Sequence, residues 1–122
     1  MILVDTSVWI DHLRAGNEVL EGLLNNARVL GHPFVTGELA LGNLRQRALV
    51  LGALRELPQA MVASDEEVFH FIQREALFGR GIGYVDAHLL AAVRLTADAS
   101  LWTRDRRLHA VADRLELLMA PP

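Results

Sequence analysis

The sequence contains no cysteine and no lysine, and both absences narrow what the protein can do. Without cysteine it has no disulfide, no thiolate metal site and no thiol nucleophile. All 12 basic residues are arginine, a residue suited to bidentate phosphate contacts, although genome base composition explains the same preference. No apolar run is long enough to cross a bilayer, and no basic segment precedes an apolar one as in a signal peptide. We therefore expect a cytoplasmic protein with no membrane segment.

The size and composition indicate one globular domain. The chain has 122 residues, of which 52% are hydrophobic and 22% are charged, so it can bury one core. We expect a single domain over residues 1–122. The net charge of −3 argues mildly against a nucleic-acid-binding protein when taken alone.

Predicted strands and helices alternate along the chain. The predicted strands are residues 2–4, 28–31, 59–63, 100–103 and 115–119. The predicted helices are residues 6–14, a helix capped by Asn17, one capped by Thr36, residues 44–57, one that starts at a Ser64–Glu67 capping box, residues 86–97 and residues 106–113. This alternation is typical of an α/β fold with a mostly parallel central sheet and helices on both faces.

Helical periodicity predicts which side chains face the core. In the first helix these are Val8, Trp9 and Leu13, and Trp102 is also expected in the core. The helix after the capping box is expected to bury one face, formed by Val68, Phe69, Ile72, Ala76 and Leu77. The apolar faces of the first two helices and of residues 44–57 exceed what one small core buries, so they are candidates for contacts with partners.

Four acidic residues follow predicted strands or begin predicted helices. Asp5 follows the first strand, Glu38 lies in the helix after the second, Asp86 begins an apolar helix beside a glycine-rich loop, and Asp105 follows the strand that contains Trp102. Parallel strands present their carboxyl ends at one edge of a sheet, so these carboxylates are expected to converge. Each one alone is also explained in another way: Asp5 and Asp105 as helix caps, Asp86 as an acid facing a helix dipole, and Glu38 as a solvated helix acid.

A convergent set of carboxylates favours a metal site. Without a cation the carboxylates would repel one another and raise one another's pKa. Oxygen ligands in a chain without cysteine favour Mg²⁺ or Mn²⁺, and paired metals of this kind hydrolyse phosphodiesters. The five histidines form no metal-binding pattern. Arginines near the acids are candidates to hold the nucleic-acid backbone, or are simply solvated charges: Arg80, Arg104, Arg106 and Arg107.

Four stretches of the chain resemble the PIN-domain ribonucleases, and among them the VapC toxins of toxin–antitoxin pairs. They are ILVDTSVWID, GELALG, GIGYVDAHLLA and LWTRDRRL, which occur in the family's order over nearly the whole chain. The resemblance implies that Asp5, Glu38, Asp86 and Asp105 are the catalytic, metal-binding acids. It also implies supporting hydroxyl groups at Thr6, Ser7 and Thr103.

The resemblance further implies a PIN-like three-layer sandwich and a Mg²⁺- or Mn²⁺-dependent endoribonuclease. Such an enzyme hydrolyses RNA with a metal-activated water. The family's proteins are usually homodimers, and a VapB-type antitoxin inhibits them.

Other functions are consistent with parts of the pattern. A signalling receiver domain would need an acidic pair after the first strand and usually a lysine, but Thr6 follows Asp5 and lysine is absent. A phosphatase with a nucleophilic aspartate would normally have Asp-x-Asp, and Ser7 occupies the second place. An RNA-processing nuclease without a toxin role and a catalytically idle binding module both remain open, although the intact set of acids argues against the idle module.

Overall fold

The computed structural model describes residues 1–121, and Pro122, the last residue of the predicted domain, lies outside them. The strands and helices follow each other along the chain in this order: β1 (Ile2–Val4), α1 (Thr6–Ala15), α2 (Glu18–Asn25), β2 (Val29–Leu30), α3 (Pro33–Ala40), α4 (Arg47–Glu56), α5 (Asp65–Arg74), α6 (Tyr84–Leu95), β3 (Ser100–Trp102) and α7 (Arg106–Arg114).

The sheet is parallel, with strand order β2-β1-β3. Ile2 is paired with Val29 on one side and with Ser100 on the other. Successive side chains of a strand point to opposite faces, yet Ile2, Leu3 and Val4 are all buried. Both faces of the sheet are therefore covered, which confirms the predicted α/β fold with a parallel central sheet.

Two predicted strands are wrong in extent. Residues 59–63 contribute one parallel bridge, between Gln59 and Gly31, and residues 115–119 contribute one, between Leu118 and Leu101. The first segment leaves the sheet because Met61 donates its N–H to the Thr96 hydroxyl instead of to a neighbouring strand. The alternation of apolar residues within 59–63 predicts a strand, but it carries no information on a hydrogen bond to a residue so far along the chain.

The third helix begins earlier than predicted. Thr36 is not its cap, because the Thr36 N–H already donates to the carbonyl of His32 within the first turn. His32 is the N-cap, and its Nδ1 accepts a hydrogen bond of 3.0 Å from the N–H of Phe34. Pro33 occupies the first helical position, where its missing N–H costs nothing. Because α3 begins at Pro33, Glu38 lies well within this helix.

The core faces of two helices differ partly from the periodicity. Val8 and Trp9 are buried as predicted, but Leu13 is 38% exposed. Phe69 was also placed wrongly: it is 64% exposed, and Phe71 occupies the core position of α5 instead. The buried stripe of α5 therefore continues from Val68 at a spacing of three residues. Packing against α6 decides whether Phe69 or Phe71 is buried. The sequence does not reveal this, because α5 has apolar residues on both sides.

The apolar helix α6 is central, as predicted. Residues 87–93 are all buried, and the helix packs against α5 and β3. Asp86 immediately precedes this buried segment, so the packing of α6 positions its backbone. Within residues 1–121 no helix is both long enough and apolar enough to cross a membrane.

The capping box at the start of α5 is confirmed and supports a stability prediction. The N–H of Glu67 donates to Ser64 Oγ at 3.1 Å, and the N–H of Ser64 donates to Glu67 Oε1 at 2.9 Å. We expect Ser64→Ala to lower the free energy of unfolding by about 1 kcal/mol, measured by urea denaturation. Ser64→Thr keeps the acceptor and should retain most of the stability. Equal losses in the two variants would contradict a role for the cap.

Candidate active site

The four predicted acids lie around one end of the sheet. Asp5 leaves β1 and donates its backbone N–H to the carbonyl of Trp102 at the end of β3. Burial raises the pKa of the Asp86 carboxyl, against the opposite effect of the hydrogen bond from Gly83, and the charges of Asp5, Asp105 and Glu38 raise it further. The Asp86 carboxylate is thus within electrostatic reach of the other three.

Asp5 is buried, with only 6% of the residue exposed. Its Oδ2 accepts hydrogen bonds from Ser7 Oγ at 2.7 Å and from Thr103 Oγ1 at 2.8 Å, with a longer one of 3.4 Å from the Ser7 N–H. Hydroxyl groups, and not a basic side chain, therefore hold this carboxylate. This arrangement orients the group without neutralising its charge.

Thr103 links two of the acids. Its hydroxyl donates to Asp5 and accepts a hydrogen bond of 3.0 Å from the backbone N–H of Asp105. The Asp105 side chain caps α7, where its Oδ1 accepts from the N–H groups of Arg107 at 3.0 Å and Leu108 at 2.9 Å. Strand β3 and helix α7 therefore place Asp105 relative to Asp5 through one side chain.

Glu38 and Asp86 are each anchored by one hydrogen bond. Thr6 donates its hydroxyl to Glu38 Oε1 at 2.7 Å, and the N–H of Gly83 donates to Asp86 Oδ2 at 2.9 Å. Glu38 is exposed, whereas Asp86 is half-buried. The structure thus brings hydroxyls at all three positions expected to support the acids into contact with them. The anchoring N–H of Gly83 was not anticipated, because a backbone donor leaves no signal in residue type.

The four carboxylates share a pattern of half-satisfied oxygens. Each uses one oxygen in the hydrogen bonds above, and within residues 1–121 its second oxygen has no hydrogen bond. None of the four forms an ion pair with an arginine or a histidine of those residues. Uncompensated carboxylate oxygens are a donor set that suits a hard cation such as Mg²⁺ or Mn²⁺.

The acids do not form a closed metal site as they stand. In the described part of the chain, no three His, Asp or Glu side chains lie close enough together to hold one ion. Like charges keep carboxylates apart, so these side chains would have to draw together around a cation. The four carboxylates are the kind of ligand that a divalent cation prefers, and their side chains would close around it.

The arginines predicted to contact RNA separate into two groups. The Nε of Arg104 forms an ion pair of 2.9 Å with Asp11 Oδ2 on α1. Arg80, Arg106 and Arg107 instead line a cavity of about 550 Å³, together with Arg114. Sequence reasoning missed Arg114, although it follows Arg107 by seven residues, a spacing that places both on one face of α7.

Two histidines are buried: His32, the N-cap of α3, and His88, within α6. His32 and His88 flank the ring of Phe34, with ring centroids 5.2 Å and 4.7 Å from it. His32 Nε2 and His88 Nδ1 are buried, with no hydrogen-bond partner within residues 1–121. Burial, with a smaller contribution from His88, lowers the pKa of His32 to about 4. His32 is therefore a neutral structural side chain at neutral pH.

Comparison with known proteins identifies the family of the chain. The PIN domain family matches residues 2–114 of the chain, a stretch that contains all four acids. The chain is 52% identical over 110 residues to Ribonuclease VapC32 from each of two strains of Mycobacterium tuberculosis. Each match covers 90% of this chain and 89% of the relative.

Proposed function

The chain belongs to the PIN-domain family, as a ribonuclease of the VapC toxin type, and we propose that Asp5, Glu38, Asp86 and Asp105 hold the divalent cation with which it hydrolyses RNA. The observation that carries the proposal is that each of the four carboxylates has one oxygen without a hydrogen bond to any of residues 1–121. Within the same residues, none of them forms an ion pair with a basic side chain. The relationship to VapC supports a toxin over a processing nuclease or an idle binding module.

The chain's own residues orient the acids for this task. Ser7 and Thr103 hold Oδ2 of Asp5 and leave its Oδ1 available as a ligand. The Thr103 hydroxyl also fixes the distance between Asp5 and the backbone of Asp105. When bound, Mg²⁺ or Mn²⁺ supplies a Lewis acid for the phosphate and lowers the pKa of the attacking water. The hydrogen bonds of Thr103 therefore keep Asp5 and Asp105 in fixed relative positions for that chemistry.

The proposed partners are RNA, a VapB-type antitoxin and a second copy of the chain. A groove of about 500 Å³ is lined by Glu38, by Arg14 and Arg45, and by apolar side chains that include Ile10, Leu13, Leu39 and Val50. Ile10 and Leu13 are exposed there, so we propose that an apolar segment of the antitoxin docks in this groove and covers Glu38. We propose that the enzyme acts as a homodimer in the cytoplasm, where its RNA substrates are present.

Metal dependence is the direct test of the site. Purified protein, free of antitoxin, is incubated with a structured RNA mixture in Mg²⁺, in Mn²⁺ and in EDTA. We expect cleavage with either metal and a rate at least about 100-fold lower in EDTA, because the metal supplies the nucleophile and the charge stabilisation. Excess Mg²⁺ added after EDTA should restore the rate.

Metal binding can also be measured apart from cleavage. A cation that binds only the folded state raises the melting temperature, and we expect Mn²⁺ to do so for the parent protein and not for Asp86→Asn. Equal shifts in the two proteins would contradict the assigned ligands. Cleavage that persists undiminished in EDTA would contradict the proposed chemistry.

A further inference from the structure

We propose that Arg80, Arg106, Arg107 and Arg114 form an arginine pocket that binds RNA phosphates flanking the one that is cleaved. The inference rests on the proposed function and adds to it a place for the substrate backbone. The four side chains line one cavity of about 550 Å³ between α7 and the glycine loop that precedes α6. The cavity has room for more than a single side chain of a partner.

The charge of the arginine pocket is uncompensated. Within residues 1–121 none of its four arginines has a carboxylate at ion-pair distance, whereas Arg14, Arg74, Arg94 and Arg104 all do. The chain as a whole carries a net charge of −3. Four unpaired cations in one cavity of an acidic protein create a local positive potential, which attracts a polyanion.

Hydrogen bonds hold two of the guanidinium groups in place, and a third lies against the backbone. Arg80 Nε donates to the carbonyl of Ala76 at 3.0 Å, and an Nη of Arg114 donates to the carbonyl of Glu75 at 2.8 Å. The side chain of Arg107 lies against Gly81, where a Cβ would come within 2.9 Å of its Nη1. Each guanidinium carries five N–H donors, so donors remain free for a ligand after these interactions.

The position of the arginine pocket favours RNA over an acidic peptide. Arg106 and Arg107 directly follow Asp105, which caps the same helix. Four carboxylates repel a phosphate backbone, so a substrate that reaches them needs an attractive surface beside them. Along α7, Arg107 and Arg114 lie seven residues apart, about 10 Å along the helix axis. That spacing suits a chain of phosphates better than one isolated anion.

The test measures RNA binding by the intact protein without cleavage. Arg80→Ala and Arg114→Ala are each combined with Asp86→Asn, and affinity for a fluorescent total-tRNA preparation is measured at several salt concentrations. We expect each arginine variant to bind about tenfold more weakly at 0.1 M salt. We also expect the slope of log affinity against log salt to become shallower by about 0.7 to 0.9 for each RNA phosphate that the variant no longer neutralises.

The matched control is Arg28→Ala in the same background. Arg28 is exposed and precedes β2, at the opposite end of the strands from the acids. This variant removes the same charge, so its affinity and salt slope should stay close to those of the parent. Arg114→Lys retains the charge without the planar fork, so it should recover part of the affinity. Melting temperatures show whether each variant is folded.

Two outcomes would overturn the inference. Equal affinity of Arg114→Ala and Arg28→Ala for tRNA would remove the assignment to RNA. Unchanged RNA affinity with weakened binding of a VapB-type antitoxin would assign the pocket to the protein partner instead. A failure of the proposed function is distinguishable, because a protein that never cleaves RNA still reports the binding difference between these variants.

Discussion

Replacing Asp86 with asparagine is expected to reduce metal-dependent RNA cleavage at least about 100-fold while the fold is retained. Losing even an outer partner of a metal ligand costs about 10- to 100-fold, so losing a ligand charge should cost no less. The asparagine side chain keeps an oxygen that can accept the N–H of Gly83, the hydrogen bond that orients this residue. The measurement is the initial rate of RNA cleavage at saturating Mg²⁺.

Stability of the same variant separates chemistry from folding. Burial and the three neighbouring acids raise the pKa of Asp86, which means that the fold disfavours its charged form. Asparagine removes that charge, so the melting temperature in EDTA should equal or exceed that of the parent. Asp113→Asn is the control, since this exposed acid on α7 has no side-chain ion pair within residues 1–121. Full activity of Asp86→Asn would refute its role.

Acid pH is expected to destabilise the protein through His32. The pKa of this buried side chain is lowered from 6.5 to about 4, so between these values the unfolded state binds the proton more readily than the folded state. Stability contributed by the neutral side chain is complete above pH 6.5, is lost as the pH falls and levels off near pH 4. The loss should amount to about 3 kcal/mol, measured by urea denaturation at each pH.

A variant isolates the contribution of His32 from those of the carboxyl groups. His32→Asn keeps an N-cap acceptor for the N–H of Phe34 but does not titrate. Its unfolding free energy should therefore change less between pH 6.5 and pH 4 than that of the parent. Parallel curves for the two proteins would show that His32 is not the responsible group. His32 caps the helix that carries Glu38. We therefore expect RNA cleavage by the parent, like its stability, to fall more steeply with decreasing pH than that of His32→Asn.

Much of the fold followed from local patterns in the sequence. The strands β1 and β3, the cap at Asn17, the Ser64 capping box and the central apolar helix α6 were all predicted and are confirmed. Each depends on a side chain acting on its own backbone neighbours or on an unbroken apolar run. Residues 59–63 and 115–119 were harder, because whether an edge segment pairs depends on distant hydrogen bonds.

The residues of the candidate site could be predicted from the sequence, but their contacts could not. The four acids were singled out by their places after predicted strands or in predicted helices, and the hydroxyls at Thr6, Ser7 and Thr103 by the family resemblance alone. Their hydrogen bonds could not be predicted, since Thr103 reaches Asp5 across 98 positions of sequence. The family is shown by similarity over nearly the whole chain.

The order of the elements, the positions of the carboxylates along the chain and the absence of cysteine chemistry could all be predicted from residue types and their near neighbours. The folded chain was needed to show which oxygen of each acid is anchored, that Arg104 pairs with Asp11 and that Arg114 joins the arginine pocket. Hydrogen bonds and ion pairs are short-ranged in space and indifferent to distance along the chain. Packing of the sheet and helices therefore had to bring these groups together before their partners were defined.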